Sequence, residues 1–270
     1  MKRAILLAAY GAEGEQNANI LQRFEQKVRA SFPDAAIRWA FTSMLLRSRL
    51  AAAKKKTDSV KKALCRLGFE KFAQVTVQSL HVIPGREYAG MLDEIEEAKC
   101  SGAPECVCIG KPLLHSHEDI KLAAAALSQC GPEERNRKDA MLWAGHGTWH
   151  AGGRFYSALL HEARKLDENT FLGTLSGKNA LAAILAELKE KRIRTVWLMP
   201  LLAITGKHAT EDLAGDTPTS WRSMLKNNGF ECRPILTGAI EYDSLAAIWI
   251  KHLQEATDDA VTPINNTLEC

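Results

Sequence analysis

The chain has 270 residues, of which 46% are hydrophobic and 25% charged, enough apolar material for one large core or two ordinary ones. A formal net charge of +3, with no basic stripe interleaved with aromatics, argues against a nucleic-acid binder. No apolar run is long enough to span a bilayer.

The opening "MKRAILLAAYG" has a basic start but a short apolar run broken by Gly11, with no convincing cleavage site. It therefore reads as a first strand, Arg3 to Tyr10, rather than a secretory leader. Ile20, Leu21, Phe24 and Val28 recur on one helical face, and a strand follows at Ala36 to Phe41. Lys54 to Lys56 read as a solvated helix face. "TDSVKKALCRLG" reads as a helix capped by Thr57 or Asp58 and closed by Gly68. Strands at Gln74 to Leu80 and Cys106 to Ile109 complete a first half. After the polar stretch "GPEERNRKD" the alternation restarts. Strands near Ala140 to Ala144, Thr170 to Leu175, Thr195 to Leu202 and Glu231 to Leu236 are separated by helices around Phe155 to Leu166, Asn179 to Lys191 and Thr219 to Asn228.

Strict alternation of strand and helix implies parallel sheets covered on both faces. The predicted fold is α/β: two similar Rossmann-like domains, each a four-stranded parallel sheet flanked by helices, with a cleft between them. Their expected bounds are 1–136 and 137–257, with a last helix at about 243–257 packing back on the first domain and a disordered tail at 258–270. The seven cysteines, at 65, 100, 106, 108, 130, 232 and 270, are odd in number and form no CxxC pair. Neither a disulfide framework nor a zinc site is indicated, and reduced cytoplasm is the economical location.

The two halves repeat in pattern. "AILLAAYGAEG" and "DAMLWAGHGTWH" are both first strands ending at a glycine turn, which places Tyr10 and His146 alike. "VTVQSLHVIPGREY" and "VWLMPLLAITGKHA" are both third strands followed by glycine, a basic residue, then Glu87 or His208. Ligands of open α/β sheets bind beyond the carboxyl ends of the strands, so all four residues are expected to face one cleft. Two imidazoles and the Glu87 carboxylate would form a facial site for a divalent transition metal with positions left open, suited to transit or catalysis. An unspecified small-molecule pocket is the competing reading at this stage. There is no P-loop and no GxGxxG, so no nucleotide is implied.

"LLAAYG", "AFTSMLLRSRL", "VQSLHVIPGREY", "GKPLLHSHED", "AGHGTWH" and "MPLLAITGKHATEDLAGDTPTSW" resemble, in order and approximate spacing, the anaerobic-pathway sirohydrochlorin cobalt chelatases. These are class II tetrapyrrole chelatases related in fold to ferrochelatase. The resemblance runs to about residue 257. It implies that His146, in the GHG motif, His208, before the following helix, and Glu87 bind the incoming metal above the macrocycle. It implies cobalt(II), or iron(II), as substrate metal for sirohydrochlorin, with no tightly bound cofactor, no nucleic-acid or membrane partner and a possible homo-oligomer. Arg86 and Lys207 stand where the family usually has acids, and "YGAEG" replaces "FGTS". The alternative is a non-catalytic tetrapyrrole or metal carrier built on the same cleft.

Further candidates have specific expected roles. Tyr10 would touch the macrocycle face, while Arg47, Arg49 and Lys207 would meet substrate carboxylates. Asp212 and Asp216, spaced i and i+4 on one helical face, would form a path feeding metal inward or a solvated face. His81 reads as a satisfied core residue. His115 and His117 alternate and would share one side of an extended segment; His150, His161 and His252 read as surface residues.

Overall fold

The computed structural model describes residues 2–147, 151–176 and 180–259. His150 and residues 260–270 of the expected tail lie outside the described residues. The first sheet contains β1 (Arg3–Ala9), β2 (Ala36–Phe41), β3 (Gln74–Ser79) and β4 (Cys106–Gly110), all parallel in the order β2-β1-β3-β4. The second contains β5 (Ala140–Gly145), β6 (Thr170–Thr174), β7 (Thr195–Leu201) and β8 (Glu231–Pro234), in the order β6-β5-β7-β8. The two orders are the same, so the repeat read from the sequence is a repeat of topology. In each sheet the first and third strands are central neighbours.

Helices α1 (Glu15–Ser31), α2 (Met44–Ala52), α3 (Val60–Phe69), α4 (Arg86–Lys99) and α5 (His117–Gln129) accompany the first sheet. Helices α6 (Arg154–Leu166), α7 (Ala180–Glu190) and α8 (Trp221–Asn227) accompany the second. The last helix, α9 (Asp243–Asp259), packs against β3, β4 and α5 of the first half. It includes positions 258 and 259, expected to belong to the tail, because the helical pattern continues through them.

Each central strand is buried on both sides, as the unbroken apolar runs require. Ala4, Leu6 and Ala8 of β1 face Val60, Leu64 and Leu67 of α3 with Met91 and Ile95 of α4. Ile5 and Leu7 face the opposite way, into a cluster that also contains Phe24, Trp143, Met199 and Trp249. That cluster takes residues from both sheets, so the two halves share one continuous core.

Several local expectations change. Ser59, rather than Thr57 or Asp58, caps α3, its side chain accepting from the Lys62 amide. Gly68 does not close that helix; a Cβ there would lie 2.0 Å from the Gly102 carbonyl oxygen, so its role is close backbone packing. Lys54 to Lys56 are exposed in the connection after α2, not on a helix face. His117 opens α5 behind the Ser116 cap, which takes it off the extended segment expected to carry it with His115; both are exposed.

Candidate active-site cleft

A cleft of about 740 Å³ opens at the carboxyl ends of the strands and is lined from both halves. The glycines around His146 explain how one of its walls is built. Gly145 ends β5, and a Cβ there would sit 2.6 Å from the Tyr156 ring. Gly147 has φ of 86°, and a Cβ there would fall 2.3 Å from Ser176 Oγ. Both substitutions are sterically barred, so the turn packs directly against Tyr156 and the β6 end. Burial raises the Tyr156 pKa while backbone hydrogen bonds at Gly147 and His146 oppose that shift, which fixes this tyrosine as a neutral support under the turn.

His146 and His208 meet edge to face, with centroids 4.9 Å apart and planes at 75°. They come from the ends of adjacent strands β5 and β7. The His146 Nδ1 lies 3.2 Å from the Gly147 carbonyl oxygen, and the His208 Nδ1 lies 2.6 Å from Asp212 Oδ2. The Gly147 carbonyl can only accept, as can the Asp212 carboxylate when ionised, so each Nδ1 carries the proton and, among the described residues, each Nε2 lone pair is left for another partner. His208 opens a π-helical turn, His208–Leu213. Such turns recur at functional sites because they re-aim side chains. Asn17 steadies the preceding loop by donating to the Thr205 carbonyl at 2.9 Å and to the Glu13 carbonyl at 3.0 Å.

Tyr10 and Glu87 line the same cleft from the first half. The Tyr10 ring lies 6.4 Å from that of His146, and Glu87 sits in the first turn of α4 behind Gly85. The expected close triad is not assembled: among the described residues no three His, Cys, Asp or Glu side chains could together hold a metal ion. The imidazoles form a pair, with Glu87 bordering the space beside them.

The basic and acidic candidates divide. Lys207 lines the cleft, paired loosely with Glu211 at 3.9 Å. Arg47 does not: its guanidinium donates to the carbonyls of Phe41 and Thr42 and pairs with Glu94 at 3.7 Å, so it braces the start of α2. Arg49, one half-turn on, lines the cleft, and its guanidinium has no hydrogen-bond or ion-pair partner among the described residues. Asp212 lines the cleft, but Asp216 lies beyond the π-helical turn and pairs with Arg222 at 3.0 Å. The two do not share a helical face.

His81 is buried at the end of β3, with Nδ1 2.8 Å from Ser79 Oγ and Nε2 3.2 Å from Thr42 Oγ1. Burial lowers its pKa to about 4, so it is neutral near pH 7. His161 is exposed. His252, expected at the surface, is 2% exposed, with Nε2 2.9 Å from Asp119 Oδ1.

Comparisons with known proteins agree over nearly the whole chain. Residues 3–258 match the family described as Cobalt chelatase (CbiK). The chain is 44% identical over 255 residues to the sirohydrochlorin cobaltochelatase CbiKC of Nitratidesulfovibrio vulgaris, covering 94% of this chain and 90% of that one. It is 29% identical over 264 residues to the sirohydrochlorin cobaltochelatase of Salmonella typhimurium, covering 97% and 98%. Among solved structures, SirB from Bacillus subtilis with Fe3+ superposes with a TM-score of 0.67 at 12% identity, covering 97% of this chain and 98% of that one, a likeness of fold.

Proposed function

The chain belongs to the Cobalt chelatase (CbiK) family, and from that premise we propose that it inserts cobalt(II) into sirohydrochlorin, with iron(II) as the second metal the site would accept. The observation that carries the reading is the imidazole pair in the cleft, both Nδ1 atoms committed and both Nε2 atoms available.

Insertion exchanges two pyrrole protons for a divalent cation. The site must therefore hold a partly dehydrated metal without keeping it, and must take up protons near neutral pH. Two neutral imidazoles do the first, since a pair of ligands leaves most coordination positions open to water and then to macrocycle nitrogens. Imidazole also does the second, its ordinary pKa being about 6.5. Glu87, facing the same space, balances the charge of the departing protons. Asp212 fixes the ring of His208, so that Nε2 stays turned to the metal. Tyr10, 44% exposed at the end of β1, offers its ring to the macrocycle face. Arg49 and Lys207 supply cations for the carboxylates of this polycarboxylate substrate.

The test is to mix the protein with sirohydrochlorin and cobalt(II) and follow the shift of the absorption bands. Turnover above the spontaneous rate is expected. Stoichiometric binding with no acceleration would instead make the protein a carrier.

A further inference from the structure

The amino end of the first sheet carries a second cluster of metal-ligating groups, remote from the cleft. In "CVCIG" of β4 the side chains alternate, and Val107 and Ile109 pack with Val75 and Val77 under α3 and α4. Cys106 and Cys108 therefore share the opposite face, in register with Gln74 and Thr76 of β3. This is the face covered by α9, where Thr257 donates to the Thr76 hydroxyl at 3.2 Å. β4 is an edge strand, and both cysteines are half-buried rather than sealed.

The two sulfur atoms lie 3.7 Å apart. A tetrahedral centre with metal–sulfur bonds of about 2.3 Å holds its sulfurs about 3.8 Å apart, so the thiols already stand at two corners of such a site. The one-residue spacing on a strand achieves what a CxxC pair achieves on a turn. The nearby Asp259 carboxylate and the free amide nitrogen of buried Gln74 make the surroundings polar.

We propose that Cys106 and Cys108 form a second, dithiolate site for a borderline divalent cation of the zinc and cobalt(II) class. Binding forms two metal–sulfur bonds and releases two thiol protons to solvent. Among the described residues no third His, Cys, Asp or Glu completes the set, so water fills the remaining positions and the ion stays exchangeable. Burial and the neighbouring Cys106 push the Cys108 thiol up to about 11, so without metal that sulfur carries its proton. The site is independent of the proposed activity. Thr76, beside Cys108, precedes by five positions His81, which borders the cleft just beyond the end of β3, and extended backbone puts roughly 16 Å between the two positions.

Cobalt(II) itself is the probe, because among the described residues no cysteine lines the cleft, so a thiolate-to-cobalt charge-transfer band in the near ultraviolet is not expected from it. The full chain, kept reduced with a phosphine and free of tetrapyrrole, is titrated with cobalt(II). The expected result is a band saturating at one equivalent, bleached by zinc(II), abolished by Cys106→Ser and by Cys108→Ser, and unchanged by Cys65→Ser, Cys100→Ser or His146→Ala. Absence of the band from the wild-type protein would overturn the proposal. So would a band that survives both Cys106→Ser and Cys108→Ser.

Discussion

At the scale of single residues, the site rests on a few contacts whose removal has distinct signatures. Gly147→Ala forces a Cβ into a positive-φ position 2.3 Å from Ser176 Oγ. It should cost more than the roughly 1–2 kcal/mol of the left-handed conformation alone and should lower insertion in the molecules that stay folded, because the turn carrying His146 must move. Asp212→Asn removes the carboxylate 2.6 Å from His208 Nδ1, and an effect of about 10–100-fold on metal affinity or rate is expected while the fold is kept. Arg49→Ala should raise KM for sirohydrochlorin with kcat nearly kept, whereas Arg47→Ala should act through stability, since its guanidinium is bound to the Phe41 and Thr42 carbonyls. Steady-state kinetics beside a melting curve separates the two. The imidazole pair was legible in the sequence because a topological repeat delivers equivalent loops to adjacent strand ends. The choice between Arg47 and Arg49 was not. Helix α2 is short, and its apolar residues Met44, Leu45, Leu46 and Leu50 run around the helix, so no periodicity marks the cleft side.

At the scale of elements, α9 shows how sequence distance hides spatial neighbours. It fastens to α5 through the buried pair His252 and Asp119, 2.9 Å apart, and Asp119 also completes the capping box with Ser116. Burial raises the Asp119 pKa, but the hydrogen bonds from His252 and Ser116 outweigh it and leave the carboxyl below its ordinary value. Asp119→Ala removes a cap and leaves a buried imidazole without its acceptor, a loss of about 2–4 kcal/mol. In a chain of this size that should lower Tm by roughly 5–15 °C, measured calorimetrically. The signal for His252 was present, though unread. Leu245, Trp249, His252 and Ala256 recur at helical spacing, and the histidine occupies the buried stripe of α9. What the sequence could not show was the partner, because Asp119 lies 133 positions away.

At the scale of the molecule, parallel pairing, the repeated four-strand unit and the position of the cleft followed from alternation and repeat, since each strand's burial is written into an unbroken apolar run; the strand order did not. The shared core did not, because which faces of two sheets meet depends on packing that no local pattern encodes. His81 lies in that shared region and gives the fold a pH dependence. Its folded pKa of about 4 sits below its ordinary 6.5, so between these values the unfolded chain binds more protons and stability falls as pH falls. The shift corresponds to about 3 kcal/mol, present above pH 6.5 and lost by about pH 4. His115, exposed but lowered by partial desolvation and by the Lys111 charge, adds weakly in the same direction, whereas the Asp119 contribution is lost only below its ordinary 3.8. Urea unfolding across that window should show the slope, and His81→Gln should remove most of it. The central claim is that the imidazoles of His146 and His208 together carry the insertion chemistry. Its most direct test is the initial rate of cobalt(II) insertion into sirohydrochlorin, corrected for the spontaneous reaction, in wild type, His146→Ala and His208→Ala, with folding verified for each. The account predicts a fall of about 10²-fold or more in both variants; a folded variant turning over at the wild-type rate would contradict it.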